Sequence, residues 1–201
     1  SLLLCALITL SACSSTDIKE STQEKTSPDV VINIVGDVHG ESTIDRTAIP
    51  ALKKHFADGD LNIFNLETAV TAEPKKEEKE YNFKTDLSFL KALRSVGLNV
   101  ATVANNHSYD FGAEGFLDTL QALDKAGIRY VGGGVNSGIA YQGQIFKVKG
   151  IRIGVLGLAK VNGGLASIAG REKPGTTNGY DAASSENAIT AIKKVSDIVI
   201  V

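Results

Sequence analysis

The apolar residues fall into short β-branched runs separated by segments of helical spacing. Val30-Val31-Ile32-Asn33-Ile34-Val35 predicts a buried strand ending at Gly36-Asp37. A helix is expected from about Thr47 to Phe56, then the turn Asp58-Gly59-Asp60 and a second strand from Leu61 to Leu66. Asp86 is placed to cap a helix carrying Leu87, Leu90 and Leu93 on one face, and Gly97 stops it. Val100 to Ala104 predicts a third strand. Phe116, Leu117, Leu120 and Leu123 share the apolar face of a helix over 113–126, which Gly127 ends before a fourth strand, Ile128 to Val131. Residues 140–149 alternate and pair with 151–158 through Gly150 as a hairpin. Residues 161–180 are Gly-rich and read as loop, 185–195 as a helix, and Asp197 to Val201 as a buried last strand. The alternation of strand and helix predicts an α/β layered fold with largely parallel strands plus a hairpin.

The first thirty residues break this pattern. The apolar run Leu2 to Leu10 is shorter than the roughly 20 residues that span a bilayer. Its length suits the hydrophobic region of a secretory signal. It ends in Leu10-Ser11-Ala12-Cys13, which resembles the bacterial lipoprotein box, where a small residue precedes the cysteine that receives lipid. Residues 1–13 are therefore expected to be signal and lipobox, with membrane lipid held through Cys13. Acyl burial contributes about 0.8 kcal/mol per methylene, so two or three chains anchor durably. Residues 14–28 are polar and aperiodic, a flexible tether closed by Pro28, and the folded domain is expected over 29–201. The implied location is the cell envelope, lipid-anchored and extracytoplasmic. Cys5 leaves with the signal, so no disulfide is expected. The missing initial Met and the abrupt final strand lead us to expect a fragment at both ends.

With 43% hydrophobic and 22% charged residues in 201, the chain can bury a core and is neither low-complexity nor disordered as a whole. Lys plus Arg number 21 against 23 Asp plus Glu, so a nucleic-acid partner, which asks for a basic surplus, is not expected.

Chemistry collects where three strands end: Gly36-Asp37-Val38-His39-Gly40, Asn65-Leu66-Glu67-Thr68, and Ala104-Asn105-Asn106-His107-Ser108-Tyr109-Asp110. Ligands of open α/β sheets bind beyond the carboxyl ends of strands. Asp37 and His39, two apart on an extended strand end, point to one side and could share a cation. Such oxygen and nitrogen donors suit Zn, Mn or Fe. His107 is then a candidate general acid or oxyanion donor. Asn65, Asn105 and Asp110 read as residues that orient the ligands. His55 reads as surface, the run from Lys75 to Glu80 as a solvated face, and Gly132-Gly133-Gly134 as a strand-to-loop turn.

Gly36-Asp37, Asn65-Leu66-Glu67 and Asn105-Asn106-His107-x-x-Asp110-x-Gly112, in this order, resemble the capsule-synthesis CapA family, called PgsA in poly-γ-glutamate systems. Gly132-Gly133-Gly134-Val135-Asn136 resembles that family's Gly-rich turn. The family is itself similar to calcineurin-like metallophosphoesterases, which implies a four-layer α/β/β/α sandwich, incomplete here. By the resemblance Asp37 is the first metal-site Asp, Glu67 stands where a bridging Asp would be, and Asn106 and His107 match an Asn-His pair of ligand and proton donor. Two divalent metal ions are implied for the full-length protein. The partner implied is an anionic capsule polymer or its synthesis machinery. There are two departures. His39 replaces an apolar residue common in the family, and the later His-Trp-Gly and Gly-His-His-Pro-His motifs are absent from these residues, so this chain alone should bind metal poorly. Three readings compete: a membrane-anchored protein of poly-γ-glutamate capsule synthesis or export, an active metal-dependent phosphoester hydrolase, and a non-catalytic lipoprotein scaffold.

Overall fold

The structure, a computed structural model, describes residues 29–40 and 47–201. The readings for the signal, the Cys13 lipobox and the tether lie outside the described residues. Along the chain run β1 (Ile32–Val38), α1 (Ile49–Phe56), β2 (Leu61–Leu66), the two-residue strands β3 (Ala69–Val70) and β4 (Lys84–Thr85), α2 (Leu87–Ser95), β5 (Val100–Thr102), α3 (Gly112–Ala126) and β6 (Arg129–Val131). After them come β7 (Gly133–Gly134), α4 (Ser137–Ala140), β8 (Gln144–Val148), β9 (Ile151–Val155), a 3₁₀ turn over Leu165–Ser167, β10 (Gly175–Thr176), α5 (Ala182–Lys193) and β11 (Ile198–Ile200).

Two sheets organise these elements. In the first, β1-β2-β5-β6 lie side by side and every pair is parallel. In the second, β9 sits between β11, parallel to it, and β8, antiparallel. The alternation along β2 explains why the sheets stack. Phe64 and Leu66 join a core with Phe56 of α1, Leu90 and Leu93 of α2, and Phe116, Leu120 and Leu123 of α3. Leu61 and Ile63, offset by one position, join Val100 and Val131 against Ile153 and Val155 of β9. Ala188 and Ile192 of α5 close on Leu156 and Val199 across the outer face of the second sheet. The layers are therefore helices, sheet, sheet and helix, the α/β/β/α order the resemblance implied. Among the described residues no helix is long and apolar enough to cross a membrane.

Local chemistry accounts for the element ends. Asp86 Oδ1 accepts from the Ser88 and Phe89 amides at 2.7 and 3.4 Å, so α2 starts where expected. Gly127 takes φ 68° after α3, and its amide bonds back onto the last turn. The hairpin turns through Lys149 and Gly150, both at positive φ, as a two-residue connection requires.

Five expectations are corrected. β1 runs through Gly36-Asp37 to Val38, because a register shift between Ile34 and Asp37 lets it stay paired with Asn65 and Leu66. It forms the sheet edge and leaves Ile34 exposed. Leu117 lies at the margin of the α3 face and is 38% exposed, while Phe116, Leu120 and Leu123 are buried. The helix expected from 185 begins at Ala182, because the Asp181 carboxylate accepts from the Ser184 amide. Among the described residues the last strand pairs with β9 alone and is not buried: Ile198 is exposed, and Ile200 packs on the inter-sheet core. The Gly-rich segment 161–180, read as loop, contains β10, and β3 and β4 flank the charged run from Lys75 to Glu80; all three strands are too short to show a period.

A polar cluster at the strand tips

Because β1, β2 and β5 are parallel neighbours, their carboxyl ends open at one edge of the sheet. Asp37 and Asn65 are direct register partners. The Asn65 amide nitrogen donates to Asp37 Oδ1 at 2.7 Å and to Glu67 Oε2 at 3.0 Å. Asn65 Oδ1 accepts from Asn105 Nδ2 at 2.8 Å, and the same nitrogen donates to the Leu66 carbonyl at 2.9 Å. Asn105 Oδ1 in turn accepts from the His107 amide and the Ser108 hydroxyl. Two asparagines thus link all three strand tips. Asn65 is the bridge between the two carboxylates.

The imidazole of His107 lies between acids. Its Nε2 is 3.8 Å from Glu67 Oε1, and its Nδ1 is 2.9 Å from Asp110 Oδ2. Asp110 is fully buried and also accepts from the Phe83 amide at 2.6 Å. Its other oxygen is in ion-pair contact with the Lys79 ammonium. Lys79 Nζ donates as well to the Asn106 carbonyl at 2.9 Å. Asn106 therefore enters the cluster through its backbone. Phe83 lies between the two histidines, 4.7 Å from the His39 ring with near-parallel planes and 4.3 Å from the His107 ring.

The carboxylates are tuned apart. The Asn65 hydrogen bond, with a second from the Glu67 side, holds the Asp37 carboxyl below its usual range. Burial, then the adjacent Asp37 carboxyl, pushes Glu67 up. Two adjacent carboxyl groups that share one amide donor are oxygen donors of the kind a divalent cation takes, so Asp37 and Glu67 fit an ion. Among the described residues, no group of three or more His, Cys, Asp and Glu side chains is gathered for one. His39, stacked on Phe83, is near enough for its charge to act on Asp37.

Lys79 and Phe83 were not foreseen. Lys79 sits in the charged run read as a solvated face, and nothing in that run marks it off. Phe83 left a faint signal, an aromatic residue in a polar loop just before the Asp86 cap. Beside Phe83 opens a cleft of ≈ 500 Å³, lined by His39, Gly40, Asn82, Phe83, Lys84 and Phe111.

Four layers with acids, amides and imidazoles at the tips of parallel strands define an α/β protein of metallophosphoesterase-like fold. Comparison with known sequences agrees with this class and narrows it. The profile of the bacterial capsule synthesis protein PGA_cap matches residues 17–201. The capsule biosynthesis protein CapA of Bacillus anthracis is 30% identical over 173 residues, 79% of this chain and 40% of that protein. The PGA biosynthesis protein CapA of Bacillus subtilis is 30% identical over 200 residues, 90% of this chain and 51% of that one. A protein of Mycobacterium tuberculosis described as a probable polyglutamine synthesis accessory protein is 32% identical over 152 residues, 71% of this chain and 40% of its own length. The chain belongs to the PGA_cap family of bacterial capsule synthesis proteins and spans about half, or less, of the length of these relatives.

Proposed function

We propose that this protein serves the synthesis, export or attachment of an anionic capsule polymer of the poly-γ-glutamate type, from outside the cytoplasm and tethered to membrane lipid through Cys13. The observation that carries the reading is the Asp37–Asn65–Glu67 bridge, next to His107, in a chain of this family. Asp37 and Glu67 would hold a divalent cation, with His39 and Asn106 as further donors. Such a cation supplies Lewis-acid polarisation of an acyl or phosphoryl oxygen. The chain's own residues supply the rest. Asp110 fixes the His107 ring through Nδ1 and leaves Nε2 turned toward Glu67, where it can pass a proton to a leaving group. Asn65 and Asn105 keep the acids in register with the ring. A second reading, a phosphoester hydrolase, is favoured by His39 two residues after Asp37.

The test replaces Asp37 with Asn in the chromosomal copy and measures polymer on the cells, with the metal content of protein purified from its host. Loss of polymer together with stoichiometric metal is the expected result. Undiminished polymer and a metal-free wild-type protein would leave only the scaffold reading. Turnover of a generic phosphoester by the metal-loaded protein would favour the second reading.

A further inference from the structure

The cleft beside Phe83 is built differently from the strand-tip cluster. Its walls are aromatic: Phe83 on one side, Phe111 on another, and the His39 ring flat against Phe83. Its polar side chains are those of Lys84, Asn82 and His39. Lys84 Nζ lies 4.7 Å from the centre of the Phe111 ring. Its hydrogen bond goes to a backbone oxygen, the Glu73 carbonyl at 3.2 Å. Among the described residues no carboxylate pairs with Lys84, whereas Lys79, Lys149 and Arg152 each have one. Glu73 and Glu77 line a separate hollow that shares the Phe111 side chain with this cleft.

Aromatic walls with a lysine that pairs with no carboxylate among the described residues select a ligand that is aliphatic along its length and anionic at one point. We infer that this cleft is a subsite for a carboxylate carried on a short aliphatic stem, with the carboxylate on Lys84 and the methylenes between Phe83 and Phe111. The subsite adjoins the chemistry, since Phe83 touches the His107 ring as well as the cleft. A polymer threaded here would present its next linkage to the strand tips. This inference rests on the capsule-polymer reading, because a γ-linked glutamate residue supplies this stem and this charge. It needs no metal and no turnover.

The experiment titrates the protein with γ-linked hexaglutamate at 0.15 M salt and follows the ring resonances of Phe83 and Phe111. Glutarate and inorganic phosphate serve as competitors. Lys84→Gln keeps most of the stem and removes the charge. It should weaken hexaglutamate binding about fivefold, the size of one solvent-accessible ion pair. Lys147→Gln, the same change at an exposed lysine of β8, should leave binding unchanged, and glutarate should compete better than phosphate. Equal affinity of wild type and Lys84→Gln would overturn the subsite and leave the polymer reading standing. Phosphate competing as well as glutarate would overturn the carboxylate assignment. No binding of hexaglutamate to the wild type would overturn the subsite, and the cell assay above then decides the polymer reading on its own.

Discussion

Asn65 does what no ionisable side chain could do at its position. Its amide nitrogen serves both acids while its oxygen takes the Asn105 donor. Asn65→Asp would remove both donations and add a third carboxylate. We expect a loss of about 2 kcal/mol, in line with hydrogen bonds to charged groups, read as a lower urea midpoint. Asp110 depends on Lys79 in a different way. A carboxylate with no exposed surface needs a cation, and Lys79→Met would leave it without the one it touches. Removing one partner of such a pair costs about 3 kcal/mol, and Lys79→Arg should restore most of it in the same unfolding measurement. Asp37, Glu67, His107 and Asp110 were singled out because they fall at or after the ends of apolar strands, where polar residues have few structural uses. Lys79 was not legible. Its role comes from a loop folding back over 27 to 31 residues of sequence, and the six-residue charge run from Lys75 to Glu80 has no period to betray which member turns inward.

Elements with a clear cap or a long period could be read along the chain. The α2 start at Asp86 and the α3 stop at Gly127 follow from capping chemistry alone. The two-residue strands could not be read, since they exist through their partners: β3 through β4, and β7 through β10. Gly132, just before β7, shows how tightly such contacts are drawn. It takes φ 84°, and a Cβ there would stand 2.5 Å from the Ala104 Cβ and 3.1 Å from the Gly157 Cα. Gly132→Ala would therefore meet both a disfavoured backbone and an overfilled junction between the two sheets. The expected cost is about 2 kcal/mol or more, seen as a fall in thermal midpoint, with Gly150→Ala, where a Cβ meets open space, losing less.

The whole molecule joins its edges with charge where apolar burial is thin. Arg152 of β9 holds the Asp197 carboxyl at about 2, below its ordinary 3.8, and the Arg152 amide donates to it as well. A carboxyl depressed in the folded state stabilises above its ordinary value and ceases to do so as pH falls through the folded one. The urea midpoint of the wild type should thus fall from about pH 4 to about pH 2 by more than that of Asp197→Asn, and the two should converge at the acid end. At this scale the alternation of strand and helix made a layered, largely parallel α/β fold legible and the family resemblance implied the layer order, yet the edges were not legible, because which strand lies outermost depends on pairing across the chain and not on its own residues. The parallel pairing of β1, β2 and β5 has a last consequence. No hairpin can nucleate the tips, since Asp37, Asn65 and Asn105 meet only after two crossover connections have closed. The cluster is built from non-local contacts, the kind whose loop closure slows folding. A chain that has emerged only as far as residue 100 carries Asp37, Asn65 and Glu67 but lacks Asn105, His107 and Asp110.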